Sequence, residues 1–412
     1  MHVTIMGPVS GMGPGSGPRT TLSSSSMPST AVAVGPDPPA PVLPDRPRAI
    51  LLVRLSARGD VMFATPIIRA LRRRYPDVHL TWVVEPKSSD VVVDHPELDE
   101  VVVWDRDRWK KLLRAGKLGE LRRAFQEFRD TLRSRRYDVA IDLQGLSRSG
   151  LVTWFSGAPI RISLGPQEGS GLLMTHRYPT GRHVSEMSGE PRLMAEWLGL
   201  DTSDWSLDLH LEPEARAGAR ARLREAGVEG PFILLVPFTT RPWKHWLEER
   251  WAPLARALVE KTGLPTVLGG GPADREAADR IRADAEGTLV DLVGRTSLAE
   301  AVGVVAEASL VIGVDTALTH AGHAFLRPTI CVFGPAGYTD PPTPMTRMVR
   351  HWIGCVPCRT ENRPVTCGGD YTCMRLITGR EILGHARDLL AEYPPESPAE
   401  DGHPDPTAHS AT

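Results

Sequence analysis

The sequence has few of the features that mark nucleic-acid-binding, membrane-spanning or secreted proteins. Its 48 Lys and Arg are balanced by 50 Asp and Glu, a formal net charge of −2, so no basic excess points to a nucleic-acid partner. No apolar run reaches the roughly 18 residues that a membrane span needs, and the N-terminus lacks the apolar block of a signal peptide. The sequence therefore predicts a cytoplasmic protein.

Apolar periodicity is also missing at both ends of the 412-residue chain. Residues 1–48 are rich in Gly, Pro and Ser, and residues 391–412 are polar and rich in proline. Segments of this composition bury too little apolar surface to offset the conformational entropy lost on folding. Both are predicted to be disordered tails.

Between the tails, short apolar runs alternate with longer amphipathic stretches, which is typical of parallel α/β architecture. The first series is AILLVRL, HLTWVVE, EVVVW, DVAIDLQG and RISLG; the second is FILLVPF, PTVLGGG, LVDLVG, SLVIGVD and PTICVFG. A turn-rich segment from Leu198 to about Pro213 separates them. This predicts two doubly wound domains, 49–205 and 206–390, with ligands bound beyond the carboxyl ends of the strands, in a cleft between the domains.

The first of these strand ends lacks the glycine fingerprint of a dinucleotide-binding loop. In RLSARGDVMFATP, which follows AILLV, Gly59 is the only glycine and Asp60 follows it. Such a loop cannot cradle a pyrophosphate in the dinucleotide manner, which disfavours a nicotinamide-dependent dehydrogenase. Asp60 suits the N-cap of a helix starting at Val61, whereas a helix starting at Thr65-Pro66 would leave its carboxylate free for chemistry.

Two other strand ends carry polar groups. The segment DLQG, from Asp142 to Gly145, is interpreted as a turn. After FILLV, the loop VPFTTRPWKHW offers Thr239, Thr240 and Lys244. Their hydroxyls and ammonium suit phosphate oxygens, although a solvated loop explains them equally well.

Two loops later in the second series also suit an anionic ligand. In GGGPADRE, the glycines at 269–271 permit positive φ and close approach of a ligand, or simply form a flexible turn. In VIGVDTALTHAGHAF, a buried strand runs into Asp315, Thr316 and a helix that carries His320. The first two could cap the helix, but free N–H groups at a helix N-terminus also bind anions, and His320 would lie beside them as a donor.

The five cysteines leave the question of a structural metal open. Four of them fall in one turn-rich run: Cys355, Cys358, Cys367 and Cys373. Their number suits tetrahedral zinc, but their spacing matches no standard zinc finger, so unligated thiols are equally compatible with it. Cys331 lies within a strand pattern and is predicted to be core.

Residues 106–136 concentrate positive charge, with twelve Lys and Arg against four Asp and Glu. A solvated helix face is the commoner explanation of such a segment. The same face can also meet anionic lipid or a phosphorylated acceptor. The segment is therefore also compatible with peripheral association at the cytoplasmic face of the inner membrane.

Four of these segments together resemble glycosyltransferase family nine, the ADP-heptose:lipopolysaccharide heptosyltransferases. They are RLSARGDVMFATPIIRALRRRYPDVHLTWVVEP, the WKHW loop, VIGVDTALTHAGHA with the later FGP, and the cysteine run. The resemblance covers roughly Arg48 to Leu390. It implies the GT-B fold, in which an acceptor-binding and a nucleotide-sugar-binding Rossmann-like domain face a central cleft. It further implies inverting, metal-independent transfer of heptose or a related sugar from an ADP-sugar to a lipopolysaccharide core or another cell-envelope glycan or glycolipid.

The resemblance also implies roles for individual residues. The aspartate of the Gly-Asp motif, here Asp60, is the general base that deprotonates the acceptor hydroxyl, and Glu276 contacts the nucleoside. The other matched positions hold the diphosphate and line the donor pocket: Thr239, Thr240, Lys244, Asp315, Thr316 and His320. Because cationic and N–H donors can neutralise the leaving group, no catalytic divalent ion or other cofactor is expected.

Two positions depart from the family pattern. Ala317 stands where Asp-Thr is usually followed by Gly, and Ala336 where FGP is often followed by Thr. An alanine requires ordinary φ and brings a methyl group toward the ligand. Two alternatives therefore stay open: a homologue that binds nucleotide sugars with impaired catalysis, and a GT-B transferase that uses a different nucleotide sugar.

Overall fold

The computed structural model describes residues 38–179, 188–334, 343–353, 355, 367 and 369–395. Of the predicted tails, only residues 38–48 and 391–395 lie within these ranges. Residues 38–48 form neither helix nor strand, yet Leu43 packs against the hydrophobic core. The indole N–H of Trp197 also donates to the Pro38 carbonyl at 2.7 Å.

The first domain is built on a parallel six-stranded sheet. Its strands are β1 (Ala49–Val53), β2 (His79–Val84), β3 (Glu100–Val103), β4 (Val139–Asp142), β5 (Ile160–Leu164) and β6 (His176–Tyr178). Its helices are α1 (Arg58–Ala64), α2 (Pro66–Arg74), α3 (Arg106–Arg114), α4 (Leu118–Ser134), α5 (Ser147–Phe155) and α6 (Gly189–Trp197). The strand order is β3-β2-β1-β4-β5-β6. The order reverses between β1 and β4, and the loops after these two strands flank this first switch point. Doubly wound sheets bind ligands at such points.

The second domain repeats this architecture. Its strands are β7 (Ile233–Val236), β8 (Thr266–Leu268), β9 (Leu289–Asp291), β10 (Leu310–Val314), β11 (Thr329–Val332) and β12 (Thr346–Val349). Its helices are α7 (Pro213–Glu225), α8 (Trp251–Thr262), α9 (Arg275–Asp284), α10 (Leu298–Glu307), α11 (Ala317–Ala324), α12 (Thr372–Arg375) and α13 (Gly379–Glu392). The parallel order β12-β11-β10-β7-β8-β9 reverses between β7 and β10. The loops after β7 and β10 therefore flank the second switch point.

Burial explains why the apolar runs located the strands. Each of the ten predicted runs contains a strand, and β1 and β10 are buried along their whole length. Parallel strands covered on both faces read as continuous apolar runs. The pattern missed β6 and β12, which have three and four residues and lie at the sheet edges.

The segment between the domains is tied to the first domain. Arg69 on α2 pairs with Asp204 at 2.8 Å and with Asp208 at 3.1 Å. Burial opposes the charge of Asp204, but its hydrogen bond from Ser206 and the charge of Arg69 hold its pKa at about 2. The backbone N–H of Asp208 also donates to Thr65 Oγ1 at 2.9 Å. These contacts fix the junction of α1 and α2.

The two domains share their packing. Both sheets lie within one compact unit. One continuous hydrophobic cluster includes Val61 on α1 and Ala321 on α11, together with residues of both sheets. The ends of α1 and α11 that face the switch points are therefore held against each other by the core.

Candidate active site

Asp60 lies in the first turn of α1, just beyond the carboxyl end of β1. Its Oδ2 accepts the backbone N–H of Ala57 at 3.1 Å and pairs with Arg54 Nη2 at 3.2 Å. The Asp60 side chain is 45% exposed, whereas that of Arg54 is only 18% exposed. A partly solvated carboxylate is therefore held in place by a mostly buried guanidinium.

This geometry corrects both interpretations of the Asp60 loop. Helix α1 begins at Arg58, so Asp60 is not the N-cap of a helix starting at Val61. Its carboxylate reaches back to an earlier N–H instead. A second helix does begin at Pro66, with Thr65 before it, but this start does not leave Asp60 free. The sequence located the helix boundaries only to within a few residues because two start signals lie close together.

The DLQG segment forms a hydrogen-bonded turn, as the sequence predicted. The fully buried carboxylate of Asp142 accepts the N–H groups of Gln144 at 2.9 Å and Gly145 at 3.0 Å and the Ser163 hydroxyl at 3.2 Å. Burial raises the pKa of this carboxyl, although its hydrogen bonds act in the opposite direction. Gly145 has φ +73°, and a Cβ there would lie 2.4 Å from the Leu164 carbonyl oxygen. The turn thus requires both a carboxylate and a glycine.

Lys244, Asp315 and His320 meet at the second switch point. Lys244 Nζ lies 2.6 Å from Asp315 Oδ2, and His320 Nε2 lies 2.9 Å from Asp315 Oδ1. Lys244 is in the loop after β7, and Asp315 directly follows β10, its neighbour in the sheet. The exposed fractions of the side chains are 31% for Lys244, 13% for Asp315 and 3% for His320. Lys244 is therefore the member of this cluster that faces solvent most.

The Asp315 carboxylate is charged despite its burial. Burial disfavours the charged form, but the hydrogen bond and charge of His320 and the ammonium of Lys244 outweigh it and hold the pKa of Asp315 at about 2. His323, in the next turn of α11, is fully buried, and this burial lowers its pKa well below the usual value, with a contribution from His320. His323 is therefore neutral at physiological pH.

The N-terminus of α11 has no side-chain cap. Thr316 is its N-cap residue, with an extended φ of −148°, and its side chain makes no capping hydrogen bond. The capping interpretation is therefore wrong for Thr316, and the first N–H groups of α11 have no side-chain cap. Ala317 is the first helical residue and does not have a left-handed φ. The backbone accommodates this alanine, while Ala336 lies outside the described residues.

Thr239 and Thr240 follow β7 in the same loop as Lys244. Thr240 is exposed, and Thr239 is partly buried. The Thr239 carbonyl oxygen lies 2.8 Å from His245 Nε2, which ties the two sides of the loop together. The hydroxyls of Thr239 and Thr240 therefore lie on the same loop as Lys244.

The loops of the two switch points share one interface. The rings of Phe63 on α1 and His320 on α11 make an edge contact, with centroids 4.7 Å apart. A Cβ on Gly59 would lie 3.6 Å from His320 Cδ2. The helix that carries the Asp60 carboxylate therefore packs directly on the helix that belongs to the Lys244–Asp315–His320 cluster.

Comparison with known proteins identifies the family. The model of "Glycosyltransferase family 9 (heptosyltransferase)" matches residues 125–367. Lipopolysaccharide heptosyltransferase 1 of Pseudomonas aeruginosa is 31% identical over 299 residues, which cover 70% of this chain and 80% of that protein. The chain belongs to glycosyltransferase family 9. It is accordingly a glycosyltransferase, and the resemblance inferred from its motifs is confirmed.

Solved structures of family 9 show the same fold. A family 9 glycosyltransferase of Veillonella parvula matches with a TM-score of 0.69 at 22% identity, covering 84% of this chain and 97% of that one. The Escherichia coli heptosyltransferase WaaC, solved with ADP-2-deoxy-2-fluoro heptose, matches with a TM-score of 0.62 at 25% identity, covering 82% and 99%. Together with the two parallel sheets, these matches confirm the GT-B fold.

The glycine loop of this family 9 chain differs from the expectation. None of the glycines at 269–271 has a positive φ. A Cβ on Gly270 would instead lie 2.6 Å from Phe238 Cδ2, so the loop requires glycine for close packing. Glu276 lies in the first turn of α9, pairs with Arg280 at 2.9 Å, and is 92% exposed. The structure does not bring Glu276 into the Lys244–Asp315–His320 cluster.

The described cysteines do not form a metal site. Cys331 is buried in β11, as predicted, and Cys373 is buried in the core of the second domain. Within the described ranges, no group of three or more His, Cys, Asp or Glu is arranged to hold a metal ion. Cys355 and Cys367 are partly buried, and Cys358 lies outside the described residues. The described thiols therefore do not fit tetrahedral zinc.

Two more residues belong to the candidate site: Arg54, which the sequence interpretation missed, and Gln144, which it assigned to the DLQG turn. Arg54 holds Asp60 and also donates through Nη1 to the Leu143 carbonyl. Gln144 bonds the loop that precedes Asp60. Both residues directly follow or nearly follow strands that flank the first switch point, and this position was the only available signal.

The basic segment 106–136 forms an exposed helical pair, α3 and α4. Helix α3 has no buried residue, and α4 buries only Ala124 and Leu132. Helices α3 and α4 therefore form the solvated face that the sequence predicted. Along the described part of the chain, no helix is both long and apolar enough to cross a membrane.

Proposed function

We propose that this family 9 enzyme transfers heptose, or a closely related sugar, from an ADP-sugar to a lipopolysaccharide core or a similar cell-envelope glycan, with inversion at the anomeric carbon. The observation that carries the proposal is the contact between α1 and α11, because it joins a carboxylate from one switch point to a lysine cluster from the other. The relatives named as lipopolysaccharide heptosyltransferases support the choice of sugar and acceptor.

On the acceptor side, Asp60 serves as the general base. Both of its bonds to described residues use Oδ2, which leaves Oδ1 open toward an acceptor hydroxyl. Asp60 takes the hydroxyl proton as the acceptor oxygen bonds to the anomeric carbon. The bond from that carbon to the diphosphate oxygen breaks at the same time, on the opposite face, and ADP leaves with the electron pair.

On the donor side, Lys244 and the N-terminus of α11 meet the charge that develops on the diphosphate. Lys244 is 31% exposed and supplies a full positive charge. The uncapped N–H groups beginning at Thr316 and Ala317 supply hydrogen bonds and the positive end of the helix dipole. Thr239 and Thr240 add hydroxyl donors from the lysine loop. This donor set neutralises the leaving group without a divalent ion.

Asp315 and His320 position this donor set. Asp315 holds the Lys244 ammonium at 2.6 Å, and His320 holds the other carboxylate oxygen at 2.9 Å. The lysine therefore keeps its place before the donor arrives. We assign the contact with the nucleoside to Glu276. Its side chain is 92% exposed and pairs with Arg280, and this ion pair must open before Glu276 can bind a ligand.

Incubation of the purified protein with ADP-heptose, other ADP-sugars and a lipopolysaccharide-core acceptor tests the proposal. Mass spectrometry should show addition of one heptose to the acceptor, and NMR coupling constants should show an inverted anomeric configuration. Transfer from another nucleotide sugar alone would replace the donor assignment. Binding of ADP-heptose by calorimetry without turnover on any acceptor would contradict the proposed function.

We also propose that the corner between α3 and α4 rests on the inner membrane during transfer. Leu113 and Leu118 are 58% and 63% exposed there. Lys111, Arg114 and Lys117 lie around them and are exposed, with Lys117 paired to a neighbouring glutamate at 2.9 Å. Exposed leucines within a basic rim are typical of surfaces that bind anionic lipid.

Vesicle sedimentation tests this membrane contact. Anionic vesicles should pull down the protein in low salt, and neutral vesicles should not. Replacing Lys111 and Arg114 by Ser should weaken binding roughly thirtyfold, at about 1 kcal/mol per basic residue. Serine at Arg224 and Lys261, exposed basic residues of the second domain, is the matched control. Equal losses in both double variants would contradict the assignment of the surface.

A further inference from the structure

The DLQG turn lies directly beside the loop that carries Asp60. Strands β1 and β4 are parallel neighbours, with Val53 paired to Asp142 in the register. The chain therefore leaves both strands at the same edge of the sheet. The two loops that follow are in contact, although 82 residues separate Asp60 from Asp142 in the sequence.

Gln144 bonds the backbone of the Asp60 loop at two successive residues. Its Oε1 accepts the N–H of Leu55 at 3.1 Å, and its Nε2 donates to the Ser56 carbonyl at 3.2 Å. A planar amide with one acceptor and two donors can satisfy both backbone groups together. Ser56 immediately precedes Ala57, whose N–H binds Asp60 Oδ2.

Gln144 is itself fixed by the turn to which it belongs. The buried carboxylate of Asp142 accepts the Gln144 backbone N–H at 2.9 Å. The next carbonyl, that of Leu143, accepts a hydrogen bond from Arg54, which also pairs with Asp60. The turn therefore holds the Asp60 loop through its backbone and through the arginine that binds the carboxylate.

We propose that Gln144 is a positioning residue for the general base, a role that rests on the proposed function of Asp60. Gln144 contacts the backbone of the loop, and the Asp60 carboxylate takes the proton. Removing the Gln144 side chain deletes two of the hydrogen bonds that hold the Leu55–Ser56 segment and leaves those from Glu85 N–H to the Leu55 carbonyl and from Arg148 to the Ser56 hydroxyl. The loosened segment allows Asp60 to move relative to the acceptor hydroxyl. A displacement of about 1 Å between reacting groups can lower a rate by about a hundredfold.

Steady-state kinetics of Gln144→Ala tests the role. The value of kcat should fall roughly ten- to a hundredfold, while the KM for the ADP-sugar stays within about twofold of wild type, because the donor groups lie on the other domain. Gln144→Glu keeps the acceptor for Leu55 but places an acceptor against the Ser56 carbonyl, so it should lose kcat to a similar degree. It also provides the test if the alanine variant fails to fold. Gln126→Ala, on the exposed face of α4, is the control and should keep wild-type kcat.

A double-mutant cycle with Asp60→Asn separates positioning from a general effect on folding. If Gln144 acts through Asp60, adding Gln144→Ala to Asp60→Asn should lower the residual kcat by less than about twofold. A loss as large as that in the wild-type background would overturn the proposal, and so would a Gln144→Ala enzyme with unchanged kcat. Absence of transfer by the wild-type enzyme with every ADP-sugar would instead refute the proposed function.

Discussion

Replacing Asp315 by Asn should remove a pH-dependent part of the stability of the second domain. The structure holds the pKa of Asp315 at about 2, against an ordinary value of 3.8, and its side chain is only 13% exposed. A difference of almost two pKa units corresponds to about 2 kcal/mol of stability when the group is fully charged. Because the folded-state pKa is depressed, this contribution is present above about pH 4 and is lost as the pH falls from about 4 to about 2.

Urea unfolding of wild type and Asp315→Asn at several pH values measures this contribution. Trp246 and Trp251 are buried in the second domain and Trp82 in the first, so tryptophan fluorescence reports the unfolding of both domains. The difference in unfolding free energy between the two proteins should shrink by about 1 kcal/mol between pH 7 and pH 3. Asp130→Asn, at an exposed position on α4, is the control and should show little change. A difference that stays constant with pH would refute the depressed pKa of Asp315.

Two further predictions concern the second domain. Lys244→Met should raise the KM for the ADP-sugar and lower kcat by roughly a hundredfold or more, because it removes the cation beside the diphosphate. Steady-state kinetics checks this, and Lys244→Arg, which keeps the positive charge, should restore part of the activity. Gly270→Ala should destabilise the protein by about 1–3 kcal/mol, because its Cβ would lie 2.6 Å from Phe238 Cδ2, whereas Gly271→Ala, whose Cβ would lie 3.6 Å from Asp274 Oδ2, should destabilise it less; thermal unfolding of both variants checks this.

The sequence predicted the sheets well because burial controls the pattern. Fully buried parallel strands such as β1 and β10 must be apolar along their whole length, so they stand out as continuous runs. The short edge strands β6 and β12 carry little of this signal. Ligand loops could also be located, because chemistry in doubly wound sheets gathers where parallel strands end.

Contacts between distant residues of the site could not be read from local patterns. Lys244 and Asp315 are 71 residues apart in the sequence, and only the adjacency of β7 and β10 brings them together. The pairing of Asp60 with Arg54 depends on the residue at which α1 starts. Two nearby start signals in the sequence did not decide that residue. Gln144 looked like part of a simple turn because its partners belong to another strand end.

The role of Asp60 is tested most directly by comparing Asp60→Asn with wild type at saturating ADP-heptose and acceptor. The amide keeps the shape of the side chain but cannot accept the hydroxyl proton, so kcat should fall by roughly a hundredfold or more. Calorimetry should show that ADP-heptose binds both proteins with affinities within about threefold, because the donor groups lie on the second domain. Transfer by Asp60→Asn at close to the wild-type rate would contradict the assignment of Asp60 as the general base.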